Sequence, residues 1–283
     1  MLGFAKDIIL TGIILLNAQG WMVFESHAME RQLTFSEFEV HIWRADLDWA
    51  QSRIPNIAES LSQDEKERAS RFHFERDRNR FIAGRAILRG LLGQYLGIRP
   101  AEVRIQYGVH GKPTLREIIE GICFNTSHSQ NLAAYGFTQN QPLGIDIEAY
   151  REMSDADQIA QRYFSPKEYR AYLSVLPEQK LETFYRCWTR KEAYMKATGE
   201  GFYLPLDQFE VSLKLDDPPA LLWTASDPQE HKRWSLLDFK PADSFAGAVA
   251  VHGSIRKFSI WDWTGPLGRA KAENEDDDED EMR

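Results

Sequence analysis

Apolar side chains recur along this chain at two spacings: every second residue in short runs, and three or four residues apart in two long ones. Phe38, Val40 and Ile42 alternate with Glu39, His41 and Trp43, which predicts a strand over residues 38–43. Ser62-Gln63-Asp64-Glu65 has the spacing of a capping box and predicts a helix start. A second helix is predicted over residues 76–96, with Phe81, Leu88, Leu91, Leu92 and Tyr95 on its apolar side; Gly97 and Pro100 stop it. Strands follow at 103–107, 122–124, 131–138 and 143–147. The turn 108–113 comes between the first two of these, and Asn140-Gln141-Pro142 between the last two.

The second half runs in a similar order. Ser165-Pro166-Lys167-Glu168 puts Pro at the first helical position and Glu at the third. The stretch from Thr183 to Thr198 lacks Pro and Gly and reads as a helix, and strand-like runs follow at 209–213, 221–224, 234–239 and 247–251. Helices followed by strands, twice over, predict an α+β protein containing a duplicated unit. The expected division is an N-terminal subdomain at 29–142 and a C-terminal subdomain at 143–265, with the site in the cleft between them.

Chemistry concentrates in two of these segments. In Gly144-Ile145-Asp146-Ile147-Glu148 a strand puts the isoleucines on one face and both carboxylates on the other. In Trp188-Thr189-Arg190-Lys191-Glu192-Ala193-Tyr194-Met195-Lys196, a helix puts Trp188, Glu192 and Lys196 roughly along one stripe. If that helix packs beside the strand, Asp146, Glu148 and Glu192 converge, and a set of hard oxygen ligands suits Mg²⁺. Taken alone, D-x-E on a strand reads as a solvated face and K-E-x-x-x-K on a helix as salt-bridge decoration.

The conjunction W-x-x-K-E-A-x-x-K-x-x-G-x-G after G-I-D-I-E resembles the 4′-phosphopantetheinyl transferases, in particular the Sfp type. His110-Gly111-Lys112-Pro113 is similar to the family's G-K-P segment, and Asn125-Thr126-Ser127-His128-Ser129 to its N-x-S-H-S segment. Arg68, Arg71, Phe72 and Arg80 fall where the family has a basic helical stretch, so the likeness runs from about Leu61 to Phe209 in family order. The resemblance implies a pseudo-symmetric fold of two similar α+β subdomains. It implies transfer of 4′-phosphopantetheine from coenzyme A to a serine of acyl-, peptidyl- or polyketide-carrier proteins, with Mg²⁺ (Mn²⁺ as a substitute) and release of 3′,5′-ADP. Asp146, Glu148 and Glu192 are then the metal ligands, Glu192 doubles as general base, and Lys196 reaches a phosphate. Lys112 and Lys191 are expected to contact coenzyme A as well, with Ser127, His128, Arg68 and Arg80 at its nucleotide end. Two other readings stand beside this one: a catalytically silent carrier- or nucleotide-binding module of the same fold, and a Mg²⁺-dependent nucleotidyl enzyme of unrelated fold. Arg76, Arg78, Arg85 and Arg89 read as a solvated helix face, and Trp188 and Phe184 as core.

Composition adds bounds. Of the net charge of −9, most lies in the block from Glu273 to Glu281, an expected disordered tail within 266–283; the remainder is nearly neutral. No basic stripe interleaves with aromatics, so a nucleic-acid partner is not expected. The apolar run 8–16 is too short to span a bilayer. Residues 1–28 read as a leader or, by the family likeness, as a misassigned start before Met29. Cys123 and Cys187 lack a metal-ligand spacing and form no disulfide framework. A cytoplasmic monomer without a membrane partner is the expectation.

Overall fold

The computed structural model describes residues 33–48, 54–116, 121–214 and 216–264. The leader or start at 1–28 and the acidic tail at 266–283 lie outside the described residues.

The first half opens with strand β1 (Glu39–Asp46), a short helix α1 (Ile54–Ile57), α2 (Gln63–Ala69) and the long α3 (Glu75–Leu96). Gly97 ends α3 in the left-handed conformation, φ 65°, which costs glycine little. A small hairpin follows, β2 (Ile105–Tyr107) with β3 (Pro113–Leu115), then β4 (Ile122–Ser129) and β5 (Leu132–Gln139). The second half begins with β6 (Leu143–Ala149), α4 (Ala156–Tyr163), α5 (Pro166–Leu173) and the long α6 (Lys180–Thr198). It continues with a second small hairpin, β7 (Phe209–Val211) with β8 (Leu221–Thr224), and then β9 (Trp234–Phe239) and β10 (Phe245–His252).

Topologically the halves match element for element. In each, a strand is followed by helices, a small hairpin and a larger antiparallel hairpin whose second strand returns to pair with the first: β5 lies between β1 and β4, and β10 between β6 and β9. The expected α+β class and repeated order are both present. One boundary departs from expectation. The strand β11 (Lys257–Asp262), assigned from sequence to the C-terminal subdomain, pairs in parallel with β1. The first sheet therefore reads β11-β1-β5-β4 and the second β6-β10-β9.

The same match extends to a buried ion pair. Glu65, at the third position of α2, accepts the Ser62 N–H at its cap and the Arg89 Nε at 2.6 Å. Arg89 Nη1 also donates to the carbonyls of Pro100 and Val103, just before β2. Glu168, at the third position of α5, accepts the Ser165 N–H and pairs with Lys191 of α6 at 2.7 Å. The Lys191 ammonium donates to the carbonyls of Leu206 and Phe209, at the start of β7. In each half, one buried cation on the long helix ties the preceding helix cap to the following hairpin. Arg85 joins the first cluster through Glu65 at 2.6 Å. Arg85 and Arg89 are thus not a solvated face, whereas Arg76 and Arg78 are exposed as expected.

Between the sheets lies an apolar layer that includes Val40, Ile42, Ala134, Ile145, Ile147 and Val249. Ile145 and Ile147 are fully buried, each worth about 1.5–3 kcal/mol against exposure. Separate cores pack α3 on the first sheet and α6 on the second. Trp188 and Phe184 stack in the latter, as the sequence suggests.

Candidate active site

Gly144 sets the site's geometry. A Cβ there would lie 2.1 Å from the Ala193 carbonyl oxygen and 2.4 Å from the Ala197 nitrogen, so only glycine allows α6 to lie directly on β6. With Ile145 and Ile147 packed into the inter-sheet core, Asp146 and Glu148 share the Gly144 face and meet Glu192 and Lys196 of α6. Asp146 is buried. Its Oδ1 accepts hydrogen bonds from Lys196 Nζ at 2.6 Å and Ser127 Oγ at 2.8 Å. Its Oδ2 is buried with no hydrogen-bond partner among the described residues. Glu148 Oε2 accepts from Ser129 Oγ at 2.9 Å.

Crowding of carboxylates shows in their proton affinities. Burial, then the charges of Asp146 and Glu148, pushes the Glu192 carboxyl up to about 7, with Lys196 opposing. Burial and Asp146 likewise raise Glu148. A cation would relieve both effects and would give the stranded Asp146 oxygen a partner. The donor set, three carboxylates with neither thiolate nor imidazole, fits a hard ion such as Mg²⁺. Among the described residues no three His, Cys, Asp or Glu side chains already stand in ligating geometry; the Lys196 ammonium takes the place beside Asp146.

A pH effect on stability follows. Glu192 binds its proton more tightly when folded, so ionising it opposes folding, and stability falls as pH rises from the ordinary glutamate range through about 7. Glu192→Gln removes that loss. In metal-free protein at pH 8 the variant is expected to melt a few degrees higher than wild type, an upper limit of about 3 kcal/mol. Below pH 5 the difference should close, which thermal melts across pH will check.

The other wall comes from β4. Ser127 meets Asp146, and it lines, with the neighbouring His128, a cavity of about 760 Å³ that Arg68, Arg80, Tyr107 and Gly111 also border. Partial burial, followed by the charges of Lys196 and Arg80, lowers the His128 imidazole below its ordinary range, while Asp146 pulls it up. Arg80 makes a bidentate pair with Asp48, both bonds 2.7 Å. Arg68 is exposed, with its guanidinium 5.3 Å from the Phe81 ring centroid.

Two expectations need correction and a third is narrowed. Lys191 does not reach the cleft: it is fully buried against Glu168. Ser127 does not present a free hydroxyl to a nucleotide. Buried, it donates to Asp146 and accepts from Lys196 at 3.1 Å and from the Ile147 N–H at 3.3 Å. Lys112 donates to the carbonyls of Leu143 and Ala197, which leaves one N–H for a ligand; burial lowers its ammonium to about 8. Asp48 is absent from the sequence-based site, and Asn125 and Ser129 stand in the N-x-S-H-S segment without a role, although their period-2 spacing with Ser127 carries a signal.

Paired carboxylates, a lysine and a cationic wall around one strand suit transfer of a phosphorylated group, in which charge on phosphate oxygens must be countered. A family model described as "4'-phosphopantetheinyl transferase superfamily" matches residues 142–250, and one described as "4'-phosphopantetheinyl transferase, N-terminal" matches residues 48–137. The 4′-phosphopantetheinyl transferase HetI of a Nostoc species is 44% identical over 81% of this chain and 94% of its own. The transferase ffp of Bacillus subtilis is 30% identical over 60% of this chain and 75% of its own, and Sfp of Bacillus subtilis 32% identical over 55% and 68%. The chain therefore belongs to the 4′-phosphopantetheinyl transferase superfamily, as an enzyme of the Sfp and HetI type.

Proposed function

We propose that this enzyme transfers 4′-phosphopantetheine from coenzyme A to a serine of acyl-, peptidyl- or polyketide-carrier proteins, releasing 3′,5′-ADP, and that it needs Mg²⁺, or Mn²⁺ in its place, held by Asp146, Glu148 and Glu192. The observation that carries the reading is the unpartnered, buried Asp146 Oδ2 beside two carboxyls with raised proton affinity. Mg²⁺ in that position supplies charge neutralisation at the pyrophosphate.

The protein's own groups do the rest. The serine oxygen forms a bond to the β-phosphorus, and the bond from that phosphorus to the bridging oxygen breaks, with the electron pair leaving on 3′,5′-ADP. The serine proton passes to Glu192, directly or through one water, the general-base role that the family likeness implies. Lys196, on the same face of α6, shifts from Asp146 toward a phosphate oxygen. Arg68, Arg80 and His128 hold the 3′-phosphate, and Lys112 offers its remaining N–H. Among the described residues no helix is long and apolar enough to cross a membrane; we infer a cytoplasmic monomer with 29–142 and 143–265 as its subdomains, β11 excepted.

The test combines apo carrier proteins, coenzyme A and purified enzyme, with products weighed by intact mass. The carriers should gain one phosphopantetheine with Mg²⁺ and none after chelation. His128→Ala and Arg80→Ala should raise KM for coenzyme A about tenfold more than they lower kcat, since the 3′-phosphate is remote from the breaking bond. Undiminished discrimination by these variants against dephospho-coenzyme A would remove them from the phosphate site. No mass gain over a broad carrier panel would overturn the reaction itself.

A further inference from the structure

The two sheets meet along β4 and β6 without a backbone ladder between them. One edge of β6 pairs with β10. On the other edge the N–H groups of Ile145, Ile147 and Ala149 would be left without strand partners, and buried N–H groups are costly to leave unpaired. Side chains of β4 take them. Asn125 Oδ1 accepts from Ile145 N at 3.0 Å, Ser127 Oγ from Ile147 N at 3.3 Å and Ser129 Oγ from Ala149 N at 3.1 Å. The three acceptors sit at alternate positions of one strand and the three donors at alternate positions of the next, so the seam is a ladder whose β4 rungs are side chains.

Two rungs have a second attachment. A hydroxyl that accepts from an amide still has its own proton to give. Ser127 gives it to Asp146 and Ser129 gives it to Glu148. Asn125 makes the same kind of rung and has no bond to either carboxylate. The hydroxyl rungs therefore couple the docking of one half on the other to the aim of the acidic side chains between them.

We propose that Ser127 and Ser129 are positioning residues, which splice β4 to β6 and in the same contacts orient Asp146 and Glu148 for the divalent cation. This rests on the metal reading given above. Outer partners of metal ligands hold the ligand's rotamer, and their loss weakens the metal rather than the chemistry.

The experiment uses full-length protein with Ser129→Ala, Ser129→Thr and Asn125→Ala. The first readout is amide hydrogen exchange in metal-free protein; the second is the Mg²⁺ concentration giving half-maximal turnover. Ser129→Ala should expose the Ala149 amide to faster exchange and raise the half-maximal Mg²⁺ about tenfold, with kcat at saturating Mg²⁺ within about threefold of wild type. Ser129→Thr, which keeps the hydroxyl, should restore both. Asn125→Ala should free the Ile145 amide and leave the Mg²⁺ requirement unchanged. An unaltered Ala149 amide in Ser129→Ala would overturn the seam. An unaltered Mg²⁺ requirement, or an equal rise in Asn125→Ala, would reduce Ser129 to a structural residue and overturn the proposal. If wild type turns over without any divalent cation, the metal reading itself has failed and the inference falls with it, an outcome distinct from the other two. Should Ser129→Ala not fold, Ser129→Cys, a weaker donor and acceptor, carries the same comparison.

Discussion

Replacing Lys191 with Ala is expected to lower stability by about 3–5 kcal/mol, because removing one partner of a buried ion pair strands the other. Glu168 would keep the N–H groups of Ser165 and Val211 but lose its counter-charge, and two carbonyls, of Leu206 and Phe209, would lose their donor. For a protein of this size that corresponds to a fall in melting temperature of roughly 6–20 °C. Urea unfolding of the single variant and of Lys191→Met with Glu168→Gln will separate the causes. The double variant should recover much of the loss, since the penalty belongs to the unpaired charge and not to the missing pair. KM for coenzyme A, measured well below the melting temperature, should stay within about twofold of wild type, as the side chain contacts no wall of the cleft. A selective rise in KM without loss of stability would return Lys191 to the substrate site.

Asp146→Ala is expected to have the opposite signature. Turnover should fall at least about 10²-fold, because a centre for charge stabilisation loses the residue that joins Lys196, Ser127 and the proposed metal. Stability of the metal-free protein should change little: the lysine pair is lost, but the repulsion that raises Glu148 and Glu192 is lost with it. Steady-state rates under saturating coenzyme A, paired with melting curves, distinguish this from unfolding. Wild-type turnover in the variant would show that the acidic cluster does not serve the reaction.

Much of this site was legible because its determinants are local. Period 2 over Gly144 to Glu148 and the helical spacing of Glu192 and Lys196 assign faces without any tertiary information, and the small residue that admits α6 lies in the same short segment. Lys191 was misread for a reason the sequence itself contains. Adjacent residues on a helix point about 100° apart, so Lys191 and Glu192 do not share a face. The strand β4 was read too short, ending at Phe124, because Asn125 to Ser129 lacks the branched and aromatic residues of strands. Its polar side chains are there to bond a neighbouring backbone, and which backbone is a non-local fact. The same holds for Arg85 and Arg89, whose partners lie on another helix, and for β11, whose destination no pattern in residues 257–262 reveals.

That destination constrains how the molecule is made. Arg44 and Asp262 form a bidentate pair across 218 residues of chain, on two strands bonded side by side. Contacts of such separation form late, since a long loop must close before they contribute. During synthesis the first sheet therefore waits, with the outer edge of β1 unpaired, until nearly the whole of the second unit has emerged. An open strand edge of that kind invites pairing with another chain. The arrangement makes the two units kinetically interdependent despite their matching topologies, and cutting between β5 and β6 would yield a first fragment that lacks an edge strand rather than a self-sufficient half.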